Sequence, residues 1–355
     1  MTTHPLLQRL EVHMPVVQAP MAGVSSAAMA AAVSRRGGLG SLGVGAMNAD
    51  QARTAIREVR ALGGGPLNVN LFAHAPALAN AEKEASWIQR LMPEFERVGA
   101  APPATLREIY TSFLVDDDML AMLLEERPQV VSFHFGLPGK DRIQALKAEG
   151  MVLLATATNL EEARSIEAAG IDAVIAQGYE AGGHRGMFDP DVEDSQLGTL
   201  ALTRLLVGST GLPVIAAGGI MDGAGIAAVL AAGAVAAQLG TAFVATDESL
   251  ADAAYRERLA SPAAHHTVMT RAISGRPARI LPNDFTRWSA CVPDSAVPAY
   301  PIAYDAGKTL HAAARAAGRN GYGAQWAGQG APLARAMPVR ALMEALADEL
   351  ARARE

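Results

Sequence analysis

The chain has one cysteine, Cys291, among 355 residues. A single thiol excludes an intrachain disulfide framework and a cysteine-based zinc cluster within one chain, and it suits a reducing compartment. Aromatic residues are scarce at 5%, so the places where they gather are informative. Basic charge is not in excess: 30 Lys and Arg stand against 36 Asp and Glu, for a formal net charge of −6. A chain of that sign lacks the electrostatic footprint that neutralising nucleic-acid phosphates requires, so no nucleic-acid partner is expected. The opening residues, MTTHPLLQRLEVHMP, carry charges and a proline where a signal peptide would run apolar, so a cytoplasmic location is expected. Long apolar runs are missing, with one exception. Residues 223–245 (GAGIAAVLAAGAVAAQLGTAFVA) are uncharged and long enough to span a bilayer. Yet Gly233 and Gln238 interrupt them where an α/β fold would change element, so they read as a buried helix, a turn and a buried strand. No membrane partner is expected. The carboxylates of Asp116 to Asp118 and of Glu125 and Glu126 have no histidine or further carboxylate at ligand spacing. They read as solvated surface charge, and no metal is expected.

Half of the residues are hydrophobic and 19% are charged, which supplies a large core. Through the first two thirds of the chain, short apolar runs ending in small or polar residues alternate with helical patterns. Eight strands are predicted: within residues 15–23, then 39–44, 67–72, 130–135, 152–156, 173–177, 214–217 and 234–239. Helices are predicted over 25–36, 49–62, 141–149, 159–169 and 222–232, with Gly150, Gly170 and Gly233 placed where the last three would end. Eight parallel strands covered by such helices close into a (β/α)₈ TIM barrel. A doubly wound sheet is the competing architecture, but no G-x-G-x-x-G stands between the first strand and the first helix. Residues 73–126 form a connection too long for an ordinary βα loop. Aromatics gather between residues 246 and 330, which read as a mainly helical substrate-capping region. Leu342, Leu346 and Leu350 recur at helical spacing in a C-terminal helix expected to pack back on the barrel or on a partner chain. The predicted division is a barrel over 1–245 with its insertion at about 73–126, a cap over 246–330 and the terminal helix within 331–355.

Barrel enzymes carry their sites at the C-terminal strand ends. Here those ends hold Gln18, Pro20, Met21 and Ala22, then Asn70, His134, Gln177, the turn Gly182, Gly183 and His184, then Gly218 and Gly219, and finally Gln238, Leu239, Gly240 and Thr241. Amides that both donate and accept can read the edge of a flavin ring, and glycines after strands seven and eight let backbone N–H groups approach a phosphate. The absence of a second dinucleotide fingerprint favours FMN over FAD. His184, in a glycine-rich turn at a strand end, and His134, between two phenylalanines, are the candidate catalytic residues. An unperturbed histidine pKa near 6.5 suits proton transfer at neutral pH. His4, His13, His74, His265, His266 and His311 read as satisfied polar residues.

The segments QAPMAG (18–23), GGLGSLGVG (37–45), NVNLF (68–72), SFHFG (132–136), QGYEAGGHRG (177–186), AAGGI (216–220), QLGTAF (238–243) and WAGQ (326–329) resemble, in order, those of the bacterial class I nitronate monooxygenases. The resemblance covers nearly the whole chain and implies a TIM barrel that binds FMN. It implies cofactor contacts from Pro20, Met21, Ala22, Asn70, Gln177, Gly182, Gly218, Gly219, Gln238, Leu239, Gly240 and Thr241. It implies a substrate pocket of Tyr110, His134, Tyr255, Tyr300, Tyr304 and Lys308, beside His184. The implied reaction has a nitronate giving an electron to FMN and O₂ taking one from the flavin, with a carbonyl compound and nitrite as products and propionate 3-nitronate as the physiological substrate. Val24 departs from the glycine that many relatives carry there. AAGGI and QGYEAGGHRG are also similar to segments of NAD(P)H-dependent reductases of enoyl thioesters or quinones on the same barrel. That activity, and a non-catalytic barrel, are the competing readings. The oligomeric state is expected to be a monomer or a homodimer.

Overall fold

The computed structural model describes residues 4–355. Its strands are β1 (Val16–Gln18), β2 (Gly40–Gly43), β3 (Leu67–Phe72), β4 (Val130–His134), β5 (Val152–Ala157), β6 (Ala173–Gln177), β7 (Gly183–His184), β8 (Val214–Ala217), β9 (Ala236–Leu239), β10 (Val268–Thr270) and β11 (Ala278–Ile280). Eight of them form one parallel sheet in the order β1-β9-β8-β6-β5-β4-β3-β2. A parallel bridge between Val17 and Leu39 joins its two ends, with Gln18 N–H donating to Leu39 O and Leu39 N–H to Val16 O, each at 2.9 Å. The architecture is a (β/α)₈ barrel, and all eight predicted strands are in it.

The alternation of side chains along each strand sorts the apolar residues into two layers. One layer fills the barrel interior with Val17, Leu39, Val130, Val152, Leu154, Ile175 and Ile215, and Leu6, Leu7 and Leu10 of the N-terminal segment pack against it. The other lies between strands and outer helices, where Leu42, Val69, Val131, Leu153 and Val174 meet Ile56, Ile143, Ile166 and Leu202. The predicted helices appear as Ala27–Arg35, Ala49–Ala61, Lys140–Ala148, Leu160–Ala168 and Gly223–Ala231. Ser26, Asn48, Asn159 and Asp222 cap four of them through their side chains, each satisfying an N–H that has no intrahelical partner. Gly150, Gly170 and Gly233 have positive φ, the conformation that ends a helix. The helix Thr199–Ser209 completes the set between β6 and β8.

Residues 73–126 are not one insertion. Their last part, the helix Asp117–Glu126, is an ordinary barrel helix that packs beside Ala49–Ala61. Its end corrects the sequence reading of Glu126, whose side chain is buried and receives Arg57 and Arg60. Burial pushes the Glu126 carboxyl up, but the two guanidiniums outweigh it and hold the pKa below the ordinary value. The earlier part, the helix Ala81–Arg97, places Trp87, Leu91 and Phe95 in one core with Phe285, Ile302, Leu310 and Tyr322. The cap over the strand ends is therefore assembled from two distant stretches of chain. The C-terminal helix Val339–Arg352 packs on Gly223–Ala231 and Ala27–Arg35, burying Leu342, Leu346 and Leu350.

Candidate active site

A cavity of about 630 Å³ opens at the C-terminal ends of the barrel strands. Its wall includes Pro20, Met21 and Ala22 after β1, Asn70 of β3, His134 of β4, Gln177 of β6, Gly182 and His184, Gly218 and Gly219 after β8, and Gln238, Gly240 and Thr241. From the cap come Tyr110, Tyr255, Tyr300, Tyr304 and Lys308. Leu239 is the exception among the anticipated residues. Its side chain lies in the core with Ala237 and Phe243, because neighbours on a strand face opposite ways and Gln238 takes the cavity side.

His184 is held by both layers of the fold. The two-residue β7 pairs with β11 of the cap, with His184 opposite Ala278 and Gly183 opposite Arg279, so the expected turn is in fact the edge of a three-stranded antiparallel sheet. Gly183 has φ +76°, a conformation side chains disfavour, and a Cβ at Gly186 would come within 2.9 Å of the His134 ring. The glycines of AGGHRG thus set the approach of the two histidines. His134 Nε2 lies 3.2 Å from the His184 carbonyl, where only a ring N–H can bond, so Nδ1 accepts from the Thr156 hydroxyl at 3.1 Å. The His184 carbonyl also accepts from Gln177 Nε2 at 2.9 Å. The His184 ring meets the Ser274 hydroxyl through Nε2 at 2.8 Å.

Both rings are kept neutral. Burial lowers the His134 pKa to about 4, against the pull of its bond to His184 and with Arg276 and Arg185 adding to the lowering. Burial, then His134 and Arg276, takes His184 down to about 3. This corrects the expectation of a His184 poised near 6.5: its lone pair is available at neutral pH, but its proton affinity is low, so it is a weak base.

An aromatic wall faces these rings. His184 lies 5.6 Å from Tyr300, 6.1 Å from Tyr304 and 4.9 Å from Trp326, centroid to centroid, and Tyr110 lies 5.9 Å from Tyr304. The Tyr300 hydroxyl is buried without a hydrogen-bond partner. Burial raises the pKa of Tyr300 well above its ordinary value, with Tyr110 and Tyr304 adding to it, and takes Tyr304 to about 12. Tyr255 is different, since its hydroxyl donates to the Trp326 carbonyl and so braces the wall. Lys308 sits over the rings of Tyr110 at 4.9 Å and Tyr304 at 5.4 Å. Burial lowers its pKa, and no carboxylate acts in the other direction. Val24 packs with Tyr255 and Leu259 and forms part of the cavity wall next to Ala22.

Sequence reasoning missed Ser274, which has no local signature, and also Thr156 and Phe72, which end predicted strands and so could have been found. It also treated His74 as satisfied, whereas both of its ring nitrogens are buried without partners, 5.0 Å from the Tyr300 ring. Trp326 could have been found, because it opens the WAGQ segment.

The residues at the strand ends fit a flavin mononucleotide. The Gln238 carbonyl oxygen is buried and unpartnered, which suits a ring N–H. A Cβ at Gly218 would collide with Thr199 at 2.5 Å, so this turn approaches its surroundings at backbone distance. Asn70 donates to Ser132 and leaves its carbonyl oxygen for a ligand. Gln177 is already engaged, donating to His184 O and accepting from Gly186 N–H at 2.7 Å, so its first role is to hold the histidine loop. No group of three or more potential metal ligands occurs among the described residues, nor is any helix among them long and apolar enough to cross a membrane.

Comparison with known proteins agrees with this geometry. The family model "Nitronate monooxygenase" matches residues 4–349. A nitronate monooxygenase of Paraburkholderia phytofirmans is 62% identical over 346 residues, covering 97% of this chain and 94% of that one. One of Pseudomonas aeruginosa is 53% identical over 341 residues, covering 96% and 97%. Among solved structures, the nitroalkane oxidase of Streptomyces ansochromogenes superposes with a TM-score of 0.89 at 44% identity over 98% of this chain and 99% of that one. FabK of Thermotoga maritima gives 0.74 at 31% identity, covering 99% and 97%. With the barrel, the paired histidines and the tyrosine wall, these matches establish that the chain belongs to the nitronate monooxygenase family.

Proposed function

We propose that this protein is an FMN-dependent monooxygenase that oxidises propionate 3-nitronate and alkyl nitronates with O₂ to carbonyl compounds and nitrite. The observation that carries the reading is the character of the cavity: two neutral histidines face an aromatic wall that contains the buried, unpaired Tyr300 hydroxyl and that Lys308 makes cationic. A nitronate is an anion already rich in electrons, so it requires hydrogen-bond donors and positive charge more than a strong base.

Pro20, Met21, Ala22, Asn70, Gly182, Gly218, Gly219, Gln238, Gly240 and Thr241 would hold FMN, with Leu239 contributing only backbone and Gln177 supporting the loop. Bound there, the flavin supplies an electron acceptor for the nitronate and an electron donor for O₂. The protein's own residues orient the anion: Tyr300 donates to it, His184 and His134 face it, and the Lys308 ammonium reads the distal carboxylate. The barrel, within residues 1–245, serves as the cofactor domain, residues 246–330 close over the substrate, and the terminal helix braces the barrel. We place the enzyme in the cytoplasm, as a monomer or homodimer.

Mass spectrometry of the released cofactor and anaerobic mixing test this reading. Propionate 3-nitronate is expected to change the flavin spectrum within the mixing experiment, while NADPH leaves it unchanged. Bleaching by NADPH with no response to the nitronate would assign the chain to the reductase chemistry instead, and FAD or an absent flavin would overturn the cofactor site.

A further inference from the structure

Three arginines are buried next to the active site: Arg185, Arg276 and Arg279. Arg185 is neutralised by Asp194, with bonds of 2.7 and 3.0 Å. Arg279 bonds the Tyr179 carbonyl and stacks on that ring, 4.7 Å from its centroid. Arg276, like Arg279, has no carboxylate bound to it, and of the two it is the one that lies against the cavity-lining Tyr300. It is 3% exposed, and its guanidinium donates only to two carbonyls, Met187 O at 2.6 Å and Phe188 O at 3.3 Å. Of the two carboxylates that influence it, Asp191 is committed to Arg271 at 2.6 Å and Asp189 accepts from the Asp191 N–H at 2.9 Å. A buried cation without a carboxylate partner is costly and calls for a reason.

Its position supplies one. The Arg276 guanidinium lies 4.4 Å from the centroid of Phe135 and 5.9 Å from that of Tyr300, and Tyr300 lines the cavity. Its backbone bonds to Ser274, the residue that meets His184. The groups facing it from the site are His74, His134, His184 and Tyr300, all uncharged at neutral pH, so none cancels its field. Between cation and cavity stands the Tyr300 ring with Phe135 packed against it, and a charge acts more strongly across such an apolar layer than across solvent.

We propose that Arg276 is a positioning residue that sets the positive potential of the cavity from behind the Phe135 and Tyr300 rings, and so makes the site select anionic over neutral ligands. Lys308 reads one carboxylate at the mouth, whereas Arg276 biases the inner site toward any anion. The proposal rests on the reading that the site takes nitronates, and it deepens that reading by naming the source of the charge preference.

The test compares Arg276→Gln and Arg276→Lys holoenzymes with the parent at fixed ionic strength. Calorimetry measures binding of nitrite, a small anion, and of nitroethane, a small uncharged nitro compound. Nitrogen-15 NMR follows protonation of His134 and His184 as pH falls. Arg276→Gln, which can still donate to the Met187 carbonyl, is expected to weaken nitrite roughly tenfold, about 1.4 kcal/mol, with little change for nitroethane. It is also expected to move the histidine midpoints upward. Arg276→Lys should restore nitrite binding and the low midpoints. Equal weakening of both ligands, or a lysine variant as impaired as the glutamine one, would make Arg276 a structural staple and overturn the proposal. Unaltered binding and midpoints in Arg276→Gln would do the same. Should the glutamine variant not fold, the lysine variant decides through the same nitrite-to-nitroethane comparison. The histidine titration requires no substrate, so it tests the charge even if the parent enzyme does not oxidise nitronates.

Discussion

The His134 ring donates to the backbone carbonyl of His184 across 3.2 Å, so the first histidine orients the loop that carries the second. Burial holds the His184 pKa at about 3. A ring of such low basicity is neutral from pH 5 to 8. kcat/KM for a preformed nitronate is therefore expected to show no transition near pH 6.5 that His184→Asn abolishes. The same variant should slow ethyl nitronate and neutral nitroethane by similar factors, roughly ten- to a hundredfold for a lost oriented hydrogen bond. A loss confined to nitroethane would restore a base role for His184.

Lys308 stands over two tyrosine rings with no carboxylate raising its pKa. A hydrogen bond to a charged partner contributes about 1.5 to 3 kcal/mol, so Lys308→Met is expected to lower kcat/KM for propionate 3-nitronate by roughly ten- to a hundredfold. Ethyl nitronate, which has no carboxylate, should stay within a few-fold. The difference should shrink with added salt, because the side chain reaches solvent. Steady-state kinetics on both substrates reads the outcome, and equal losses would move Lys308 from selectivity to support of the cap.

The unpartnered Tyr300 hydroxyl separates binding from folding. Removing a buried group that has no hydrogen bond costs the fold little, so Tyr300→Phe should unfold in urea within about 0.5 kcal/mol of the parent, or slightly higher. Its kcat/KM for ethyl nitronate should fall about tenfold if the hydroxyl serves the substrate. Unimpaired turnover would remove Tyr300 from that role.

Stability should also respond to acid through the histidines. His74, His134 and His184 have folded pKa values of about 4, 4 and 3, lowered first by burial, against about 6.5 unfolded. Below pH 6.5 the unfolded chain binds protons that the folded one refuses, so stability falls as pH drops from there toward 4. Each histidine contributes up to about 1.4 kcal/mol per pH unit in that window. Urea midpoints between pH 7 and 5 should decline less steeply in His74→Phe, which removes one such group that does not itself line the cavity and keeps an aromatic ring against Tyr300. An unchanged slope would mean that His74 is protonated in the folded protein.

Much of the barrel was legible because periodicity, glycine ends and capping residues are local. Leu67–Phe72, Ala173–Gln177 and Val214–Ala217 begin and end where the apolar runs do, and Gly150, Gly170 and Gly233 stop the preceding helices through positive φ. Strand ends are also where a barrel gathers its site, so Asn70, His134, Gly218 and Gln238 could be named from order along the chain. Leu239 could have been separated from Gln238 by strand alternation alone.

Tertiary structure decided what depends on meetings between distant segments. The pairing of Gly183–His184 with Ala278–Ile280, the Ser274 contact to His184 and the shared core of Ala81–Arg97 with Ile302–Ala316 join stretches separated by 90 residues or more, and no local pattern encodes them. Burial is such a property too. It moved His184 from a base near 6.5 to a neutral ring and Glu126 from surface charge to a buried ion pair. A residue's own identity sets its intrinsic chemistry, but whether water is excluded around it is settled only by the chain that folds over it.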